Sequence, residues 1–254
     1  MRSFKNFGVV MKLIVKHAHW MILELLRAPA YVVATIAFPA LFYMIFAVPE
    51  SNDAASSNML VASFSCFSVF GVMFLQFGVG VSQERSNTWY LYLKTLPLHS
   101  WKLIAARFLS AIFFSLLASL GIILLSLIFT KVNLSLERWI EFIVLLHLAG
   151  VIFCFMGLAL GLWASEKSSL PIGNLIYLPL SFAGGLWKPP SILPEIVQDA
   201  SKYLPTRHYG EVMWSFVSNS KVELENISYL LAYMCMFALV SFIGFRKEQS
   251  RRGF

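Results

Sequence analysis

Residues 82–104, SQERSNTWYLYLKTLPLHSWKLI, are the one long polar interruption between two blocks of chain that read as soluble in lipid. Trp89, Tyr92, Leu93 and Leu96 stand at i, i+3, i+4 and i+7, which places them on one face of a helix. Glu84, Arg85, Asn87, Lys94 and Thr95 are left for the aqueous side. Pro97 cannot continue such a helix, and Trp101 with Lys102 suits a return through the headgroup layer. The spacing therefore predicts a short amphipathic helix on the membrane surface, over residues 82–98, between two spans. On physical grounds alone, a helix of that kind also reads as a plain connector.

The flanking blocks decide the class. The chain has 254 residues, 58% of them hydrophobic and only 13% charged, with a mean hydropathy of +0.72. One soluble core cannot keep that much apolar surface from water, so the chain is an integral membrane protein. Its apolar runs are continuous over about 20 residues instead of alternating, which suits membrane helices and not a β-barrel. The net charge of +7 is spread over several loops beside apolar spans, where it sets topology; nucleic-acid binding is excluded on that ground. Cys66, Cys154 and Cys235 fall inside the apolar segments and act as small apolar residues, so neither a disulfide framework nor a metal site is expected.

Residues 3–27 carry Phe4, Phe7, Met11, Ile14, Ala18, Met21 and Leu25 at alternating steps of three and four, with Lys5, Lys12, Lys16 and His19 on other faces. This predicts an interfacial helix over residues 1–28, its lysines attracted to anionic lipid by roughly 1 kcal/mol each. His17 and His19 read as solvated members of that basic face. Arg27-Ala28-Pro29 turns the chain into the membrane. The first apolar run begins near Ala30 and is long enough to span, so a cleavable signal peptide is not expected.

Six apolar segments follow, about 30–48, 58–81, 103–130, 139–164, 170–187 and 227–245. The fifth is short and holds Pro171 and Pro179, which predicts a broken or kinked helix. Gly184-Gly185 at its end reads either as a hinge or as ordinary membrane-helix glycine. Gly150, Gly157 and Gly161 recur in the fourth segment, the last two as GxxxG, a seam for close packing within one chain or between two. Between the fifth and sixth spans, residues 188–226 hold two short amphipathic patterns separated near Pro205, with Trp187 and Trp214 suited to the outer interface.

Counting charges orients the chain. With both termini in the cytoplasm, 14 of the 20 basic residues lie inside, and the net charge is +10 inside and −3 outside, the sense of the positive-inside rule. Both termini, the 82–98 helix and the tail 246–254 are then cytoplasmic.

The chemistry that is missing also constrains function. There is no GxxxxGK[ST] phosphate loop, no HExxH, no paired-cysteine metal motif and no GxSxG, so no catalytic, cofactor-binding or metal-binding residues are assigned. The predicted spans hold Asp, Glu, Lys and Arg only near their ends, which argues against a proton- or sodium-coupled carrier. Energy supplied from outside the chain is the natural inference.

In this pattern the chain resembles the permease subunits of ABC-2 type ABC transporters, over nearly its whole length. Arg27-Ala28-Pro29 leading to a first span with Pro39 is similar to the family's connecting helix and first span. Gln83-Glu84-Arg85 through Thr95-Leu96-Pro97 resembles its first cytoplasmic loop, and Ser181-Phe182-Ala183-Gly184-Gly185, Leu193-Pro194 and Leu204-Pro205-Thr206 resemble its pattern after the fifth span. The family often has Asn-Pro where this chain has Leu204-Pro205.

The resemblance implies an all-α permease of six spans in a bacterial cell membrane. It has no ATPase site of its own, and ATP is bound by a separate P-loop subunit. The 82–98 helix would be a coupling helix docking on that subunit through Glu84, Arg85, Trp89, Lys94 and Leu96. A second permease chain, the same or homologous, would complete the transporter, and membrane lipid surrounds it. Pro39, Gly157, Gly161, Gly184 and Gly185 are the candidate hinge or packing positions. An apolar interior without buried charge suits export of a lipid, a lipid-like antibiotic or a hydrophobic peptide. The alternative is a membrane sensor or scaffold that binds a lipid or antibiotic without moving it.

Overall fold

The computed structural model describes residues 2–88 and 100–250, helical throughout apart from turns and loops. The helices are α1 (Arg2–Leu26), α2 (Pro29–Glu50), α3 (Ala54–Ser86), α4 (Ser100–Phe129), α5 (Leu136–Trp163), α6 (Glu166–Ala183), α7 (Glu195–Ser201), α8 (Pro205–Val217) and α9 (Leu224–Ser250). α2, α3, α4, α5 and α9 are long and apolar enough to cross a membrane. α6 has 18 residues with Glu166 and Lys167 in its first turn, and falls short of that measure. The expected count of six spans thus rests on α6, which packs in the same bundle against α3.

α3 is the axis of the bundle. From Val61 to Ser82 its side chains are buried except at Gln76, and α2, α4, α5, α6 and α8 surround it. A helix apolar on every side belongs in such a position. Because lipid tails are as apolar as leucine, burial alone does not drive these helices together; close packing and hydrogen bonds must. Small residues supply the first. A Cβ on Gly157 would come within 2.6 Å of the Phe74 carbonyl oxygen, and one on Gly161 or Gly78 would meet backbone of the facing helix at the same 2.6 Å. The GxxxG seam of α5 is therefore filled within the chain, by α3. Several buried serines bond back to their own helix: Ser68 donates to the Ser65 carbonyl and Ser126 to that of Ile123. Elsewhere α4, α5 and α9 leave Leu124, Ile128, Val144, Leu148, Leu231 and Leu239 exposed, which is how a lipid-facing surface reads.

The N-terminal stripe packs where periodicity places an apolar face. Ile14 and Ala18 are buried against Ala106, and Ile22 and Leu25 meet a cluster of Val72, Phe114 and Ala118. The covering surface is α4 itself, while Met11 and Trp20 stay exposed. Phe4 and Phe7 lie outside the described side chains.

Three boundaries differ from the sequence reading. α3 does not stop near residue 81 but runs on through Ser86, where Asn87 turns extended. Residues 82–86 are thus the last turn and a half of the second span's helix, not the start of a separate one. α6 runs unbroken through Pro171 and Pro179, because neighbouring helices support a proline-containing membrane helix. At its end Gly185 adopts φ +82°, its N–H bonds the Phe182 carbonyl and that of Leu186 bonds the Ser181 carbonyl, a Schellman stop with Leu186 buried. The glycine pair terminates the helix in a conformation that L side chains resist.

α7 and α8 flank Pro205, and α8 does not lie on a surface. Tyr209 is fully buried and donates to the Leu146 carbonyl at 2.7 Å, ten residues into α5, while Trp214 donates to Ser63 Oγ at 2.7 Å near the start of α3. Tyr203 meets Tyr233 of α9 through its carbonyl. α7 stays largely exposed, with only Ser201 buried at its end, and it is α8 that packs into the bundle.

Candidate functional site

At the end of the bundle where α3, α5 and α9 finish and α4 begins, charged side chains join all four. Gly80 makes the room: a Cβ there would stand 1.6 Å from Nη1 of Arg107. The Arg107 guanidinium lies over that glycine and donates to Glu84 Oε1. One residue on, Arg85 turns the other way. Its Nη1 donates to the carbonyl oxygens of Gly161 and Leu162 at 2.7 and 2.8 Å, and its Nη2 to Glu248 Oε2 at 2.6 Å.

The reason lies in the helix ends. The last four carbonyls of α5 have no partner within the helix and carry the negative end of its dipole, so a guanidinium is stabilised there. A planar fork reaches two carbonyls and a carboxylate together, which a lysine ammonium does not. Further contacts close the ring. Lys247 sits 4.8 Å above the Trp163 indole, and Trp163 Nε1 donates to the Val240 carbonyl. Ser82 Oγ donates to Ser169 Oγ at 2.6 Å, tying α3 to the start of α6.

Of the residues assigned to docking, Glu84 and Arg85 are held in these intramolecular pairs, with side chains 30% and 18% exposed. Trp89, Lys94 and Leu96 lie outside the described residues. Arg107, Glu248 and Gly80 were not singled out in the sequence. The pair Gly78-x-Gly80, one turn before Glu84-Arg85, is the signal that marks a close approach there.

A second feature lies in the middle of the bundle. Between α2, α3 and α6 a groove of about 530 Å³ opens sideways, walled by Phe38, Leu75, Leu170 and Tyr177 with Gln76 and Asn174 as polar points. Pro39 stands in its wall, between two wide turns of α2 at Val33–Ala37 and Tyr43–Ala47, and α3 has a matching wide turn at Gly71–Gln76. Proline removes an N–H and crowds the preceding turn, and π-type turns often accompany function. Gly71 lets the Tyr177 ring approach, its hydroxyl donating to the Phe67 carbonyl at 3.1 Å. The groove holds no ionised residue. It suits an apolar or amphiphilic guest and not an ion.

Long apolar helices packed on one buried axis, with an uncharged groove at mid-depth and a charged clamp at one end, describe a multi-pass membrane protein. The chain belongs to the ABC-2 type transporter family, whose model matches residues 18–217. It is similar to the protein named "Putative transport permease YvfS" of Bacillus subtilis (strain 168), with 26% identity over 233 residues, 89% of this chain and 94% of that one. No solved structure matches it.

Proposed function

We propose that the chain is the membrane-spanning subunit of an ATP-driven exporter, assembled from two permease chains and two separate ATP-binding subunits. It sits in a bacterial cell membrane with both termini cytoplasmic, an orientation that the excess of basic residues on that side supports. α6 serves as the sixth span. The clamp of Arg85 and Glu84 carries this reading, because it fixes the residues entering the 89–99 segment to α4, α5 and α9 at once. A push on that segment by an ATP-binding subunit is then delivered to four helices and not to one. Glu84 and Arg85 anchor the start of the docking segment, and Trp89, Lys94 and Leu96 within it are the proposed contacts with the partner. The two nucleotide states must meet that surface with different free energies, since a partner that bound both states equally would move nothing.

The cargo is hydrophobic or amphiphilic, on the strength of the uncharged groove. Membrane lipid surrounds the exposed faces of α4, α5 and α9. The test is a mild-detergent pull-down of the tagged chain from its native membrane. Recovery of a P-loop ATPase, lost when Trp89 and Lys94 are both changed to Ala, supports the proposal. A chain that comes out alone, with crosslinking as without, overturns it and leaves a sensor or scaffold that binds without transport.

A further inference from the structure

At the end of the bundle opposite the Arg85 clamp, a second cavity of about 450 Å³ lies between the end of α2, the start of α3 and the loop after α6. Its floor is aromatic and held in place. Trp214 is buried and fixed by its indole N–H bond to Ser63 Oγ, and Trp187 packs edge-on against Phe67 at 5.6 Å with the planes at 88°. Phe46 and Met59 line the walls and remain 43% and 39% exposed, large apolar side chains left uncovered. From Ser56 to Ser63 the lining follows two turns of α3, a depth of about 10 Å at the helical rise. That is the depth of a headgroup and the first methylenes, not of a whole acyl chain.

Two opposite charges rim this cavity, Glu50 on α2 and Lys188 on the loop, both exposed. Neither pairs with the other or with any described side chain. Their neighbours do pair: Asp53 accepts from the Ser56 N–H at 2.7 Å, and Lys131 donates to the Asn52 carbonyl at 2.8 Å. An apolar, aromatic-floored pocket with one free cation and one free anion at its mouth complements a molecule carrying both signs at one end and a hydrocarbon chain at the other. The indole rings favour that boundary between wet and apolar surroundings.

We propose that this cavity binds one zwitterionic amphiphile, with its anionic group at Lys188, its cationic group at Glu50 and its first methylenes over Trp187 and Trp214. Binding here needs neither nucleotide nor a partner subunit, so the proposal is tested apart from transport. A charge-complementary pocket is also distinct from the uncharged groove between α2, α3 and α6.

The probe is lysophosphatidylcholine, titrated into the full chain in alkyl maltoside micelles and counted by native mass spectrometry. One saturable equivalent is expected. A lysolipid with only an anionic head binds about tenfold more weakly, and Met59→Trp, which fills the wall from an exposed position, removes the equivalent. Lys188→Glu weakens binding about tenfold, and adding Glu50→Lys to it restores most of the affinity by exchanging the two charges. Lipid that stays with the wild-type chain through purification, and not with Met59→Trp, identifies the bilayer as the source. A site empty after purification that still takes one added lysolipid identifies a passing amphiphile, and both results support the site. Equal uptake by wild type and Met59→Trp, or a Met59→Trp chain whose oligomer size changes while lysolipid binding does not, overturns it. So does a Lys188→Glu chain that binds as the wild type does.

Discussion

Arg85 and Glu248 are 163 residues apart in sequence, yet Nη2 of the one donates to Oε2 of the other at 2.6 Å, with side chains only 18% and 13% exposed. The pair joins the end of the second span to the end of the last. Its guanidinium also caps α5, so one side chain fastens three helix ends.

Removing Arg85 should therefore cost more than a surface pair would. Arg85→Ala leaves a largely buried carboxylate without this partner and the α5 carbonyls without a cap, a loss of about 3–5 kcal/mol by the general cost of splitting a buried pair. Arg85→Lys should recover less than half, because an ammonium cannot span three acceptors. A double-mutant cycle with Glu248→Gln, read from thermal unfolding in detergent, should give a coupling of about 1–3 kcal/mol. Strict additivity would show that the two side chains act separately.

Gly80 sets the second half of the clamp. Gly80→Ala puts a methyl 1.6 Å from Nη1 of Arg107, so the guanidinium must shift from its place over the glycine and strain its bond to Glu84. Membrane insertion should be retained while ATP-dependent transport falls at least several-fold, because the Arg107 side chain is flexible but its place over the glycine is lost. Gly157→Ala meets carbonyl oxygens of α3 at 2.6 and 2.9 Å, which cannot swing aside, and should cost about 1–3 kcal/mol as overpacking. Gly121→Ala is the control: its nearest neighbour, Ile36 Cγ2, is 3.8 Å away, and the change should be neutral or slightly stabilising.

These residues also mark how far the sequence carries. The α1 stripe, the apolar spans and the two helices around Pro205 are legible because each is a local periodic pattern, read within one element. The end of α3 is not. Gln83, Glu84 and Arg85 look like the start of a wetted helix, but Glu84 and Arg85 are polar residues of a buried helix neutralised by Arg107 and Glu248, and no local pattern announces partners so far away. Likewise α8 has the amphipathic signature of a surface helix, and only the contacts of Tyr209 and Trp214 show its apolar face turned into the bundle. Trp89, Lys94 and Leu96, outside the described residues, stand on periodicity and family resemblance alone.

Acid should loosen the start of α3. The Ser56 N–H and hydroxyl bonded to Asp53 hold its carboxyl below the usual 3.8, so the folded value is depressed relative to the unfolded one. The resulting stability is present above the unfolded value and is lost as pH falls through the folded one. Asp53→Asn keeps a capping oxygen but cannot titrate. Thermal unfolding of the wild type should weaken more steeply than that of Asp53→Asn as pH falls below about 4. Parallel curves would place the acid-sensitive groups elsewhere.

The groove between α2, α3 and α6 yields a prediction that separates passage from folding. Ala34 lines it and is exposed, so Ala34→Trp adds bulk to the open space without displacing a packed side chain. If cargo passes along this groove, transport into inverted vesicles should fall at least tenfold, about 1.4 kcal/mol in the rate-limiting barrier. Thermal stability and recovery of the ATP-binding partner should stay at wild-type levels. ATP hydrolysis should persist, since the clamp at Arg85 lies at the end of the bundle and the blocked wall lies beside Thr35 and Pro39. Retained transport with a filled groove would move the route to another face of the chain.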